Sequence, residues 1–211
     1  MTQRPVLSRL VPLFAFAWAV SVEAQDEGVK RVEQLIKKAT ATVEAITDAK
    51  LQLSKTMDVY NSIFLDEAKD RKGIYKKLQK EMQTTEERRA AIGRHTADMD
   101  LEADALFKSW ATSAATIQSP ELRKQSDERL AKTKARYAEI HASGQKAGEI
   151  YAPLMKALQD QVTYLGHDLN PEALASLRGE ATKLNTQAQQ LSKSVDDAIA
   201  VANTNIAALR P

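Results

Sequence analysis

Apolar side chains recur along residues 29–64 at alternating steps of three and four positions. The row is Val29, Val32, Ile36, Ala39, Val43, Ile46, Lys50, Leu53, Met57, Tyr60 and Phe64. Because an α-helix turns once in about 3.6 residues, this spacing places the whole row on one stripe of a long helix, as in a coiled coil. Lys50 is the polar exception, and it either sets the register by a polar contact or extends its ammonium group to water.

Similar apolar rows continue in three further segments, which turn signals separate. A charge-rich stretch ending at Gly73 follows helix one, and the pairs Ser119-Pro120 and Asn170-Pro171 each combine an N-cap residue with a first-turn proline. The predicted helices cover about residues 26–66, 74–117, 120–165 and 171–209.

Four such helices, each about 40 residues and about 60 Å long, predict an all-α protein. Short connections between helices of equal length favour antiparallel neighbours, so the expected architecture is an elongated antiparallel four-helix bundle or coiled coil. The alternative is a splayed coiled-coil hairpin that completes its core only in a homodimer.

The apolar row of helix two is interrupted near its centre. Thr85, Arg89 and Thr96 occupy positions where the other helices carry mainly apolar side chains, and Gly93 lies among them. Glycine lowers helix stability by about 1 kcal/mol relative to alanine. Residues 85–96 are therefore expected to be the weakest part of the core, and leucine at Thr85 and Thr96 is expected to raise the melting temperature.

The composition excludes several other classes of protein. Only 7 glycines and 6 prolines in 211 residues leave few turns, which excludes a β-sandwich, a β-barrel or a doubly wound sheet. Lys and Arg number 30 and Asp and Glu number 28, so the chain is nearly neutral and nucleic acid is not an expected partner. The absence of cysteine excludes disulfides, thiolate metal sites and a thiol nucleophile.

Residues 1–24 have the three-part order of a secretory signal peptide. Residues 1–9 form a short basic segment that contains Arg4 and Arg9, and residues 10–20 are apolar without interruption. Val22 and Ala24 then provide small side chains at the positions that a signal peptidase recognises. An uncleaved membrane anchor is the alternative, but eleven helical residues span about 16 Å of a hydrocarbon core about 30 Å thick. The mature chain is therefore predicted to be residues 25–211, a single helical-bundle domain without a transmembrane span, periplasmic or secreted.

The sequence contains no recognisable catalytic or metal-binding constellation. His95, His141 and His167 are not spaced as helical neighbours, and none follows a glutamate by three residues, as a carboxylate-bridged metal site in a bundle requires. Phosphate-binding glycine loops and the nucleophile motif G-x-S-x-G are absent. We therefore expect no catalytic residue, no metal and no cofactor, with the histidines on the surface and Trp110 in the core.

Five basic residues lie close together where helix two begins. They are Arg71, Lys72, Lys76, Lys77 and Lys80. A cluster of this kind is typical of contacts with anionic lipid headgroups or with polyanions of a cell envelope. The alternative is a solvated helix start with its own counter-charges, which are Asp66, Glu67, Asp70 and Glu81.

Four stretches of sequence together resemble a known family. They are KTMDVYNSIFLDEAKDRKGIYKKLQKEM (55–82), ALFKSW (105–110), RLAKTKARY (129–137) and LQDQVTYLGHDLNPEALASLRGE (158–180). The chain is similar to the uncharacterised bacterial envelope family catalogued as domain of unknown function 2959. The resemblance implies an exported, helical, Gram-negative envelope protein, and it implies no activity and no site. Many similar proteins are lipoproteins, whereas this chain has no cysteine to carry a lipid.

These observations favour a non-enzymatic exported helical protein, an envelope scaffold or adaptor that binds a protein or another envelope partner. The alternative is a periplasmic holdase-type chaperone, which would bind unfolded envelope proteins on an apolar surface. The near-neutral charge favours the adaptor, because cage-like chaperones usually carry a strong cationic excess.

The first prediction concerns cleavage of the signal peptide. The apolar run and the small residues at Val22 and Ala24 place the mature N-terminus at Gln25. The intact mass of protein purified from the cell envelope is therefore expected to correspond to residues 25–211. A mass that retains residues 1–24 would contradict the signal-peptide interpretation.

Overall fold

The computed structural model describes residues 19–65 and 70–210 of the chain. Four helices account for almost all of them: α1 (Ala19–Ser62), α2 (Arg71–Ala115), α3 (Pro120–Leu165) and α4 (Pro171–Ala207). Neither described range contains a β-strand. The predicted all-α class and helical bundle are therefore confirmed.

The helices form a ring in which each packs on its neighbours in sequence and α4 returns to pack on α1. Within the described residues the backbones of the diagonal pairs, α1 with α3 and α2 with α4, do not approach each other closely, although the Tyr60 hydroxyl on α1 donates a hydrogen bond to the Gln161 side chain on α3. Packing is most extensive within two antiparallel hairpins, α1–α2 and α3–α4, and it is sparser between them. The bundle is therefore two hairpins placed face to face.

Side-chain caps fix the starts of α3 and α4. Ser119 Oγ accepts a hydrogen bond from the Leu122 backbone N–H at 3.4 Å, and Asn170 Oδ1 accepts one from the Ala173 N–H at 2.8 Å. The proline that follows each cap has no N–H to leave unpaired in the first turn. These helices therefore begin at the residues that the Ser-Pro and Asn-Pro pairs indicate.

The first turn lies earlier than the sequence indicates. α1 ends at Ser62 and α2 begins at Arg71, so Gly73 lies inside the first turn of α2 rather than at the end of the connection. Asp70 is the N-cap, and its Oδ1 accepts a hydrogen bond from the Gly73 N–H at 2.8 Å. A Cβ at position 73 would collide with the Asp70 carboxylate, so glycine permits this cap.

The described part of α1 begins at Ala19, about seven residues earlier than the predicted start of helix one. It therefore reaches back across the predicted cleavage point at Ala24. Most of the predicted signal peptide, residues 1–18, lies outside the described residues.

The buried apolar side chains form two separate clusters along the bundle. The larger cluster lies near the α1–α2 and α3–α4 turns, and Tyr60, Leu78, Leu158 and Leu184 are among its members. The smaller cluster lies toward the other end and contains Leu35, Ala39, Met99, Ala103, Leu106 and Ile206. Trp110 packs half-buried against this smaller cluster, as its position in the apolar row predicts.

A buried polar network joins α1 to α2 beside the larger cluster. Gln52 donates to the Glu81 carboxylate at 2.8 Å, and Lys55 lies 3.0 Å from the same carboxyl group. The hydrogen bond from Gln52, followed by that from Lys55, holds the pKa of Glu81 below its usual value. The hydroxyls of Thr56 and Thr85, both buried, are 2.8 Å apart. These directional contacts fix the register of the first hairpin.

Lys50, the polar exception in the apolar row of α1, joins the two hairpins. Its Nζ lies 2.6 and 2.7 Å from the carboxylate oxygens of Asp196 on α4. Of the two interpretations left open by the sequence, the structure therefore favours the polar contact between helices.

Candidate functional site at the bundle waist

A large cavity lies between the two core clusters, at the level that we call the waist of the bundle. Its volume is about 830 Å³, and all four helices contribute to its lining. Aliphatic side chains point into it from every helix: Ile46 and Leu53 from α1, Ile92 from α2, Ile140 from α3 and Val195 from α4. The cavity therefore separates the apolar core of one end from that of the other.

Small residues form much of the cavity wall. Gly93 on α2, Gly144 and Gly148 on α3, and Ala188 on α4 stand where a filled bundle core would carry large side chains. A Cβ added at any of the three glycines would meet no atom within 4 Å. The two hairpins therefore leave space between them because the facing positions lack volume.

The space is open to solvent, and several residues of its wall, among them Gly93 and Gly144, are exposed. A dry space of this volume inside a folded domain would be strongly destabilising, because the cost of a cavity grows with its volume. Water, inward movement of the hairpins, or a bound molecule must therefore fill the waist.

The mouth between α2 and α3 carries a cation and a phenol. The Arg89 guanidinium lies 5.7 Å from the centre of the Tyr151 ring, and the Tyr151 hydroxyl donates to Glu86 at 3.0 Å. Burial, with a further contribution from the Glu86 carboxylate, raises the pKa of Tyr151 above its usual value. The phenol is therefore a neutral hydrogen-bond donor at physiological pH.

Further along this mouth, Asp100 on α2 accepts two hydrogen bonds from α3. Tyr137 donates its hydroxyl proton to Asp100 Oδ1 at 2.5 Å, and His141 Nε2 lies 2.7 Å from the same oxygen. Burial, followed by the hydrogen bond to Asp100, raises the pKa of Tyr137.

Polar side chains also pair across the mouth between α1 and α4. Besides the ion pair of Lys50 with Asp196, Asn61 and Asn185 exchange two amide hydrogen bonds, each 2.9 Å long. Polar contacts therefore border both mouths, whereas the interior of the cavity is mainly apolar.

The predicted weak stretch of α2 coincides with this cavity, but its residues differ from one another. Thr96 is half-buried and Arg89 is exposed, and both line the cavity. Thr85 is buried at the cavity's end, where its hydroxyl pairs with Thr56 and donates to the Glu81 carbonyl at 3.0 Å. Hydrogen bonds therefore satisfy the buried polar group of Thr85, whereas the easy opening expected of residues 85–96 stays a prediction.

The five basic residues that the sequence singles out lie away from the waist, in the first turns of α2. Arg71 is half-buried, and its guanidinium donates to the carbonyls of Ile63 and Leu65 at 3.4 and 3.3 Å, which caps the C-terminal end of α1. The remaining four, Lys72, Lys76, Lys77 and Lys80, are exposed. Arg71 thus has a structural contact, whereas the four lysines form a surface patch.

The histidines lie at different depths and are not brought together. His141 and His167 are exposed, whereas His95 is half-buried rather than fully on the surface. Across residues 19–65 and 70–210, no three side chains of the types His, Cys, Asp or Glu are grouped so that they could hold a metal ion. In the same ranges, no helix is long and apolar enough to cross a membrane.

Fold and cavity together define an all-α four-helix bundle with a hollow waist. The chain matches the family model described as "Protein of unknown function (DUF2959)" over residues 21–209, nearly its whole length, and it belongs to that family. No curated protein and no solved structure shows a significant match to it.

The second prediction compares two isosteric substitutions in α2. Thr85→Val removes a buried, hydrogen-bonded hydroxyl and should lower the free energy of unfolding by about 1–2 kcal/mol. Thr96→Val replaces a half-buried hydroxyl facing the cavity and should leave stability unchanged or raise it by up to about 1 kcal/mol. Urea unfolding of both variants beside the wild type measures the difference. Equal losses of stability would show that the two positions have the same environment.

Proposed function

We propose that the protein is a non-enzymatic, exported helical adaptor that attaches to an anionic membrane surface by one end of its bundle. The observation that carries the proposal is the patch of four exposed lysines, Lys72, Lys76, Lys77 and Lys80. The rest of the bundle would then project from the membrane and present its helices to a protein partner.

Two of the four counter-charges that would make this patch an ordinary solvated helix start, Asp70 and Glu81, make other contacts. Asp70 caps α2, and the carboxylate of buried Glu81 is bound by Gln52 and Lys55. Asp66 and Glu67 lie outside the described residues. Among the described carboxylates, none lies within ion-pair distance of the four lysine ammonium groups. Within the described residues, the four ammonium groups therefore lie at the surface without an ion-pair partner.

Apolar and aromatic side chains are exposed at the same end of the bundle. Leu65, which follows α1, is 59% exposed, and Tyr164, in the last turn of α3, is 46% exposed. Aromatic residues with one polar end favour the boundary between water and lipid. Lysine near an anionic lipid surface contributes about 1 kcal/mol per residue, and this attraction falls off within about 8–10 Å in physiological salt. Four lysines therefore support reversible, salt-sensitive attachment.

A holdase-type chaperone is the second candidate, and the hollow waist favours it. An apolar cavity open at two mouths offers a surface for an unfolded segment if the hairpins separate further. Suppression of aggregation of a denatured client protein is the assay that separates this role from that of the adaptor.

The third prediction concerns attachment to lipid vesicles. We expect residues 25–211 to sediment with phosphatidylglycerol vesicles at low salt, and to stay in solution with phosphatidylcholine vesicles. Charge reversal by Lys72→Glu, Lys76→Glu and Lys80→Glu should abolish this binding, because it replaces attraction by repulsion.

The matched control reverses three exposed lysines elsewhere, by Lys108→Glu, Lys132→Glu and Lys146→Glu. Both variants have the same net charge, and the control is expected to retain most of the vesicle binding. Equal loss of binding in the two variants would mean that total charge, and not this patch, drives attachment. Undiminished binding of the first variant would contradict the proposal directly.

A further inference from the structure

We propose that the waist cavity binds the hydrocarbon chain of an anionic single-chain amphiphile, such as a fatty acid. The site is distinct from the lysine patch and does not depend on it, because the two lie at different levels of the bundle. Small-molecule sites typically occupy about 300–1,000 Å³ and in helical bundles lie between the helices, and this cavity measures about 830 Å³.

The cavity is elongated along the bundle axis. Its lining on α2 extends from Thr85 to Met99, and its lining on α4 extends from Asn185 to Ala198. At 1.5 Å per helical residue, these stretches are about 20 Å long. An extended chain follows such a path, whereas a compact polar metabolite would leave most of it unfilled.

The walls match a hydrocarbon chain in chemistry as well as in shape. Most of the exposed surface of the lining is apolar and comes from aliphatic side chains and small residues. Among the described residues, no buried side-chain nitrogen or oxygen lacks a hydrogen-bond partner. Polar side chains such as Asp58, Gln145 and Gln189 also contribute to the lining, but the lining is mainly apolar, and burial of a hydrocarbon chain against its apolar part is favourable.

Arg89 provides the contact for an anionic headgroup. Its guanidinium stacks on Tyr151 at the α2–α3 mouth, and no described carboxylate lies within ion-pair distance of it. Glu86, one turn away, accepts the hydrogen bond of Tyr151. At the opposite mouth, Asp196 already neutralises Lys50. The carboxylate of the ligand therefore pairs with Arg89, and the hydrocarbon chain of the ligand extends from there into the cavity.

The test uses laurate as the probe, below its micelle concentration, with dodecanol as the neutral analogue. Isothermal titration calorimetry on residues 25–211 should show saturable binding of laurate at one site. Nuclear Overhauser contacts should connect the ligand's methylene groups to the methyl groups of Ile92 and Ile140, which line the cavity. Absence of saturable laurate binding would overturn the proposal.

A matched pair of glycine substitutions then locates the site. A Cβ at Gly144, in the cavity wall, and one at Gly179, on α4 outside it, each meet no atom within 4 Å, so both leucine variants should fold. Gly144→Leu places a side chain in the path of the ligand and should weaken laurate binding at least tenfold, whereas Gly179→Leu should leave it unchanged. Gly93→Leu, on the neighbouring helix α2, should reproduce the loss and provides a second variant if Gly144→Leu does not fold.

Arg89→Gln tests the headgroup contact. It should weaken laurate binding several-fold and leave dodecanol binding unchanged, because only laurate carries a charge. Equal affinity of the Gly144→Leu and Gly179→Leu variants would place bound laurate outside the waist and overturn the proposal. So would contacts of the ligand with Leu65 and Tyr164 at the bundle end instead of Ile92 and Ile140.

Discussion

The packing of the two hairpins against each other is the constraint on which the rest of this structure depends. Large apolar side chains meet across the interface near the turns and again around Leu35 and Leu106. Between these levels the lining includes Gly93, Gly144 and Gly148, which have no side chains to fill the space between the helices, so the core is interrupted. The ends therefore stabilise the bundle, and the waist is the part free to take up another molecule.

Polar contacts at the mouths keep the hairpins in register without filling the space between them. Lys50 pairs with Asp196 on one side, and His141 with Asp100 on the other, and the side chains of both pairs are partly exposed. An exposed ion pair such as that of Lys50 with Asp196 contributes about 0–1 kcal/mol, much less than a filled apolar core would. The polar contacts therefore keep the helices at the waist in position, but they contribute little free energy to holding the two mouths closed.

The sequence predicts the fold well because each helix carries its own signals. The apolar rows, and the caps and prolines at Ser119 and Asn170, are local features, and they determine where the helices lie and where two turns occur. The sequence does not identify Asp70 as the N-cap of α2. The N–H group that Asp70 caps belongs to Gly73, and a glycine at this point of the sequence indicates a turn and not a helix. The weak positions in α2 are the only sequence signal that points to the cavity. The small size of Gly144 and Ala188 becomes significant only when the positions of all four helices are known.

Hydrogen exchange at the backbone amides of α2 tests the hollow waist most directly. Residues 89–96 border the cavity, whereas residues 103–106 and 74–82 pack against the two core clusters on the same helix. The account predicts that, in the free protein, amides of residues 89–96 exchange faster than those on either side, and that laurate slows their exchange selectively. Uniform protection along α2, unchanged by laurate, would contradict it.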